Sequence, residues 1–357
     1  MDKITYLKLK NQIGENEKNV VIKEVKFNLE KITNLYHKDF LENPIFIATD
    51  VADFIQRSIL NKSISTSSSI LRNHTITVFS FGTDRDEVIE VHKNLHKLIN
   101  FITNFSLGLR LPNTHNYLNN GIGIQIRIYL TDKKKKFLPE DDFTPNNTNS
   151  GFTSHNEKDE TSIVIYRKEE LLKVFIHELL HNVPLAPSNL DANSELIEKY
   201  LPCHKYIKYA GNSNSLASNS LAYEREQIYV REAYVETITS YLISIYLSNS
   251  YEDYQLIFEK LLDYFKHMNY YLRKIKTCME MNDNCKWDES TNTFGYYVVK
   301  EQMIKNYNFN LDNLSLSWEE LFKLCSNVCN KIESSPVLDK FKTTYLKMTN
   351  LDSRVHF

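Results

Sequence analysis

The sequence predicts an α+β protein: a mixed sheet with a helix carrying HExxH, followed by a mostly helical C-terminal half. Three observations carry this. Runs of β-branched and alternating residues recur between about residues 70 and 166, with a long amphipathic helix among them. One strongly apolar helix holds His177-Glu178-Leu179-Leu180-His181. From Leu221 onward nearly every stretch has helical periodicity.

The elements follow in order. Residues 1–65 mix a strand-like run, Val20 to Phe27, with helices, and end in the serine-rich stretch Lys62 to Ser69, which reads as a boundary. Thr75 to Phe81 is β-branched and aromatic, as strands are. Asp84 is placed to cap a helix reaching about Asn104, with Val88, Val91, Leu95, Leu98, Ile99 and Ile102 at helical spacing. Ile122 to Leu130 reads as a half-buried strand, with Ile124, Ile126, Ile128 and Leu130 alternating onto one face. Lys133 to Lys136 reads as a solvated loop rather than a docking patch. Ser150 to Ser154 suits a short edge strand, and Thr161 to Tyr166 a further strand. The latter leads into a helix from about Lys168 to Val183, stopped by Pro184 and Pro187. Gly211 to Ser220, rich in Asn and Ser, reads as a loop placed to cover a cleft. The expected organisation is an accessory segment (1–69), a sheet-and-helix subdomain with HExxH (70–185) and a helical subdomain (186–357).

Composition removes several function classes. With 42% apolar and 25% charged residues over 357 positions, the chain is not a disordered one. Forty-three basic against forty-five acidic residues leave a net charge of −2, so no nucleic-acid partner is expected. No apolar run is long enough to span a bilayer, and the start, Met1 to Lys8, lacks the apolar segment of a secretory signal. The expectation is therefore a soluble, cytoplasmic or otherwise intracellular protein with no membrane partner; nothing sets an oligomeric state. The five cysteines, Cys203, Cys278, Cys285, Cys325 and Cys329, are an odd number without zinc-ribbon spacing. They are expected to be reduced, buried thiols.

The chemistry lies in HELLH. Histidines four apart share one helical face, so His177 and His181 can reach a single Zn2+ ion, with Glu178 beside them as general base for a water. Such a motif arises by chance in roughly one chain of this composition in forty. It also puts three polar groups on an apolar helix, which is costly unless they are used. A catalytic zinc takes a third protein ligand. The pattern HExxHxxGxxH fails, because Pro184 and Pro187 hold its last two positions. A glutamate 19 or 20 residues on is absent too, since Tyr200 and Leu201 stand there, and no cysteine precedes Cys203. The stretch Tyr229 to Ile238 offers Glu232 and Glu236, four apart on one helix face.

At these residues the sequence resembles the gluzincin metallopeptidases. The ExxxE pair, about fifty residues after HExxH, looks most like the zinc domain of the anthrax lethal factor family. The resemblance covers about residues 70–250 in the order of elements. It implies a zincin-like core, a zinc metallopeptidase (a hydrolase) acting on a polypeptide, and the first glutamate, Glu232, as third ligand. Glu236 is the alternative; Asp191, Glu195, Glu198, His204, Glu224 and Glu226 are the remaining donors. Tyr229, one turn before Glu232, is the expected oxyanion donor, with Tyr223 and His204 as options. An extended substrate is expected to pair with the edge segment Ser150 to His155. Two rivals stand beside this reading. One is an inactive zincin fold whose structural zinc takes a fourth ligand such as His204 or Cys203; the other is a zinc hydrolase of a different amide or ester.

Overall fold

The computed structural model describes residues 1–14, 20–109, 123–135, 141–155, 161–185, 194–209, 219–311 and 314–332. The protein is α+β. It divides into two compact units, one from Leu7–Lys135 and Pro145–Val183, the other from Met1–Tyr6, Lys136–Thr144 and Pro184–Asn350. The first helix is α1 (Lys3–Lys10).

The sheet unit is built on six strands: β1 (Lys23–Glu24), β2 (Ser65–Leu71), β3 (His74–Ser80), β4 (Gln125–Leu130), β5 (Gly151–His155) and β6 (Thr161–Ile165). Their spatial order is β1-β2-β3-β4-β6-β5. Strands β3, β4 and β6 run parallel, while β1, β2 and β5 pair antiparallel with their neighbours, so the sheet is mixed. Helices α2 (Leu29–Tyr36), α3 (Thr49–Leu60), α4 (Arg85–Gly108), α5 (Pro145–Thr148) and α6 (Leu171–Leu180) complete it.

Alternation along the strands makes two buried faces. On one, Phe79, Tyr129, Phe152, Val164 and Tyr166 pack with Tyr36, Phe40, Val51 and Ile55. Asp39 anchors that layer, accepting from Arg127 Nε and the Tyr129 hydroxyl, each at 2.7 Å. On the other face the register aligns Ile76, Ile126 and Ile163 in one row and Val78, Ile128 and Ile165 in the next. Helices α4 and α6 pack against these strands and each other. Gly151 continues the second row and Thr153 the first. A Cβ on Gly151 would lie 2.8 Å from the Val164 carbonyl oxygen and 3.1 Å from Val174 Cγ1, so its absence lets α6 settle against β5.

The serine-rich stretch expected to be a boundary is instead strand β2, paired with β3 from Ser65–Ser80 to Leu71–His74. Its inward serines find partners on α4. Ser67 Oγ lies 2.9 Å from His92 Nε2; Ser69 Oγ lies 2.7 Å from His92 Nδ1 and 2.9 Å from His96 Nε2. The lysine run is also not wholly solvated. Lys135 Nζ is 3.4 Å from Glu170 Oε2, with both side chains fully buried. The Lys135 N–H donates to Glu169 Oε1, and Arg167 Nη1 donates to the Lys133 carbonyl, which draws the loop inward.

The helical unit holds α7 (Ser194–Tyr200), α8 (Asn219–Leu247), α9 (Tyr251–Ile275), α10 (Lys300–Asn306) and α11 (Trp318–Leu324). Strands β7 (Ile207–Tyr209) and β8 (Trp287–Glu289) pair in parallel. A π-helical turn, Phe294–Val299, packs against α8. The expectation of reduced thiols fails here: Cys203 pairs with Cys329 and Cys278 with Cys285, leaving Cys325 as a buried thiol. The first pair is 126 residues apart, so spacing could not reveal it. Buried Arg273 gathers both sites, donating to the carbonyls of Cys278, Met279, Val328 and Asn330. Among the described residues no helix is long and apolar enough to cross a membrane.

Burial pushes His92 down to about 4, helped by neighbouring His96. The folded state therefore resists protonation that the unfolded chain accepts below about 6.5. Its contribution is complete above that value and lost as pH falls toward 4, on the order of 3 kcal/mol. His92→Gln should flatten the acid side of the melting-temperature profile between pH 6.5 and 4. A profile as steep as wild type would assign the acid sensitivity elsewhere.

Candidate functional site

All ten residues of α6 are buried, and His181 is the C-cap residue. Glu170, at the N-cap, holds a left-handed conformation (φ 59°), which its buried ion pair with Lys135 ties down. One helical turn separates His177 from His181. Their Nε2 atoms stand 3.0 Å apart with the rings at 80°. Two nitrogen ligands of one tetrahedral zinc at 2.0–2.1 Å stand about 3.3 Å apart, so the imidazole pair fits such an ion. His177 is buried and His181 half-buried.

Glu178 lies between them, 5% exposed. Thr153 Oγ1 lies 2.8 Å from Glu178 Oε2 and 3.1 Å from the Glu178 carbonyl oxygen, and donates there. At the end of a helix that carbonyl has lost its i+4 partner. Asn182 Nδ2 also donates to it, at 3.0 Å. Thr153 was not singled out from the sequence. The edge-strand pattern was visible, but which of its residues faces the helix depends on the register with β6.

The helical unit places Tyr229, Glu232 and Glu236 on successive turns of α8. Glu232 is half-buried and accepts from the Tyr296 hydroxyl at 3.4 Å. Glu236 is fully buried; its Oε2 lies 3.1 Å from Lys300 Nζ, itself fully buried and 3.9 Å from the Phe265 ring centre. Tyr296 and Lys300 were missed because they come more than sixty positions later. Tyr229 is buried, edge-on to Phe294, and its hydroxyl is one of the donors to Glu289. Trp287 Nε1 and the Phe294 N–H donate to the same carboxyl, each at 2.9 Å. Burial nevertheless pushes Glu289 up to about 7.

The other expected donors separate. Cys203 is in a disulfide and cannot serve as a thiolate ligand. His204 Nδ1 lies 2.9 Å from the Leu201 carbonyl oxygen within a 3-10 turn. Glu195 and Glu198 are exposed on α7. Asp191 and residues 211–218 lie outside the described residues, as do the side chains of Tyr223, Glu224 and Glu226 on α8. The structure thus brings His177, Glu178 and His181 together on one helix end and sets Glu232, Glu236 and Tyr229 along α8.

No family model, curated protein or solved structure matches the chain.

The two glutamates of α8 should behave differently in metal-free protein. Lys300→Met breaks the buried ion pair of Glu236 and should cost about 3–5 kcal/mol in urea unfolding. Glu232→Gln, at a half-buried position, should cost under about 1 kcal/mol. Equal losses would show that the two carboxylates share one environment.

Proposed function

We propose that this chain is a zinc-dependent metallopeptidase of the gluzincin type, with a zincin-like core, hydrolysing peptide bonds in a polypeptide substrate. The observation that carries the reading is the convergence of the His177 and His181 Nε2 atoms beside a buried, hydrogen-bonded Glu178. His177 and His181 would hold the ion through neutral imidazoles, and Glu232 would complete two nitrogens and one carboxylate oxygen, a donor set typical of a catalytic zinc. When bound, zinc supplies a Lewis acid for the scissile carbonyl and makes water a nucleophile at neutral pH.

Glu178 then does the proton work. It takes a proton from the attacking water and delivers it to the amine nitrogen as the C–N bond breaks. Strand β5 supports the substrate class: it is the outermost strand of its sheet, and Thr153 on it touches Glu178. An extended peptide added to such an edge gains main-chain hydrogen bonds beside the base. The disulfide of Cys203 weighs against a closed structural site, because it removes one of the two fourth ligands such a site was expected to use.

Elemental analysis and a cleavage assay on an unstructured protein substrate test the reading. Wild type should carry one zinc per chain, His177→Ala and Glu232→Ala none. Glu178→Gln should keep zinc and lose cleavage by about 100-fold or more. Zinc-loaded Glu178→Gln that still cleaves would sink the mechanism, and wild type that takes up no zinc would sink the site. An oxyanion-donor role for Tyr229 requires its hydroxyl to exchange Glu289 for substrate. Tyr229→Phe should then lower turnover with zinc retained; unchanged turnover leaves Tyr229 as a packing residue.

A further inference from the structure

We infer that Thr153 is the positioning residue of the base: its hydroxyl holds one oxygen of Glu178, so that the other serves the attacking water. This rests on the proposal that Glu178 is the general base of a zinc site. Two independent features of the sheet unit point to it.

The first is the hydrogen bond itself. Glu178 has three rotatable side-chain torsions and almost no contact with solvent, so its carboxylate orientation is set by whatever donates to it. Thr153 Oγ1 meets Oε2 at 2.8 Å. The same hydroxyl also approaches the Glu178 carbonyl oxygen, but Asn182 Nδ2 already serves that atom. Among these contacts, what Thr153 alone supplies is the hydrogen bond to the carboxylate.

The second is the platform. Thr153 is β-branched, which restricts χ1, and it sits in the cross-sheet row with Ile163, Ile126 and Ile76. Two residues earlier, Gly151 allows the close approach of α6. The hydroxyl is therefore delivered from a rigid strand. That strand is also the sheet edge on which an extended substrate would pair, so substrate pairing and base orientation meet in one residue. The effect belongs to turnover more than to substrate affinity.

The test compares wild type, Thr153→Val, Thr153→Ser and Glu178→Gln as full-length, zinc-loaded protein. Valine keeps the shape and removes the donor; serine keeps the donor. Thr153→Val should lower kcat about 10–100-fold with KM changed less than about 2-fold and zinc content unchanged. Thr153→Ser should recover kcat to within about 3-fold of wild type. A second readout needs no turnover: in the cobalt-substituted protein, Thr153→Val should shift the visible absorption in the same sense as Glu178→Gln, and Thr153→Ser should not. Wild-type kcat and cobalt spectrum in Thr153→Val, or equal losses in the valine and serine variants, would overturn the inference. Wild type that binds metal but cleaves no peptide overturns the peptidase reading alone, because the cobalt comparison still decides Thr153. Wild type that binds no metal overturns both.

Discussion

A helix buried along its whole length cannot carry ionisable side chains unless its surroundings supply their partners, and α6 carries Lys173, His177 and Glu178. A charge or polar group left alone there costs several kcal/mol. Much of the sheet unit can be read as an answer to that constraint. Gly151 removes a side chain from β5, which lets the helix approach the strand that bears Thr153. Thr153 then reaches Glu178, and Asn182 folds back on the Glu178 carbonyl where the helix ends. At the other end Lys135 leaves its loop to neutralise Glu170. None of these contacts is needed to build an α+β sheet; the Thr153 and Asn182 contacts hold the end of α6 that bears the two histidines, and the Lys135 pair holds its start.

The same logic explains β2. Serines weaken a strand when their hydroxyls lack partners, and a run of them resembles a linker. Here His92 and His96, one turn apart on α4, take the hydroxyls of Ser67 and Ser69, which converts a linker-like composition into an interior strand. The His92 ring is held toward its neutral form because burial, and then neighbouring His96, oppose its charge. A polar layer between sheet and helix thus replaces an apolar one, at the cost of acid sensitivity.

What was legible in the sequence is what depends on near neighbours. The spacing of His177 and His181, the amphipathic stripe of α4 and the short edge strand at β5 are periodicities inside one element, and each emerges where expected. Strand β4 emerges too but is buried on both faces rather than half-buried, because Arg127 and Tyr129 on its second face meet Asp39. The features that escaped depend on a partner far along the chain. Lys135 looks like its lysine neighbours until Glu170 is folded against it. Cys203 cannot be told from a free thiol without Cys329, 126 residues away. Thr153 is unremarkable until the β5–β6 register turns it toward α6.

Glu232 and Glu236 show how environment separates what periodicity cannot. Four residues apart on one helix, they share a face by geometry, so spacing alone assigns either of them to a metal. Their surroundings differ. Glu236 is enclosed with the ammonium of Lys300, whose charge lies against the Phe265 ring, and drawing that carboxylate to a dication would break a buried ion pair. Glu232 is half-buried and accepts a hydrogen bond from the neutral Tyr296 hydroxyl. A neutral donor orients a carboxylate without cancelling its charge, which is the arrangement that strengthens a metal ligand. The ion pair of Glu236 then has a purpose of its own: it pins α8 to α10 one turn beyond Glu232, so the proposed ligand extends from a helix that is already fixed.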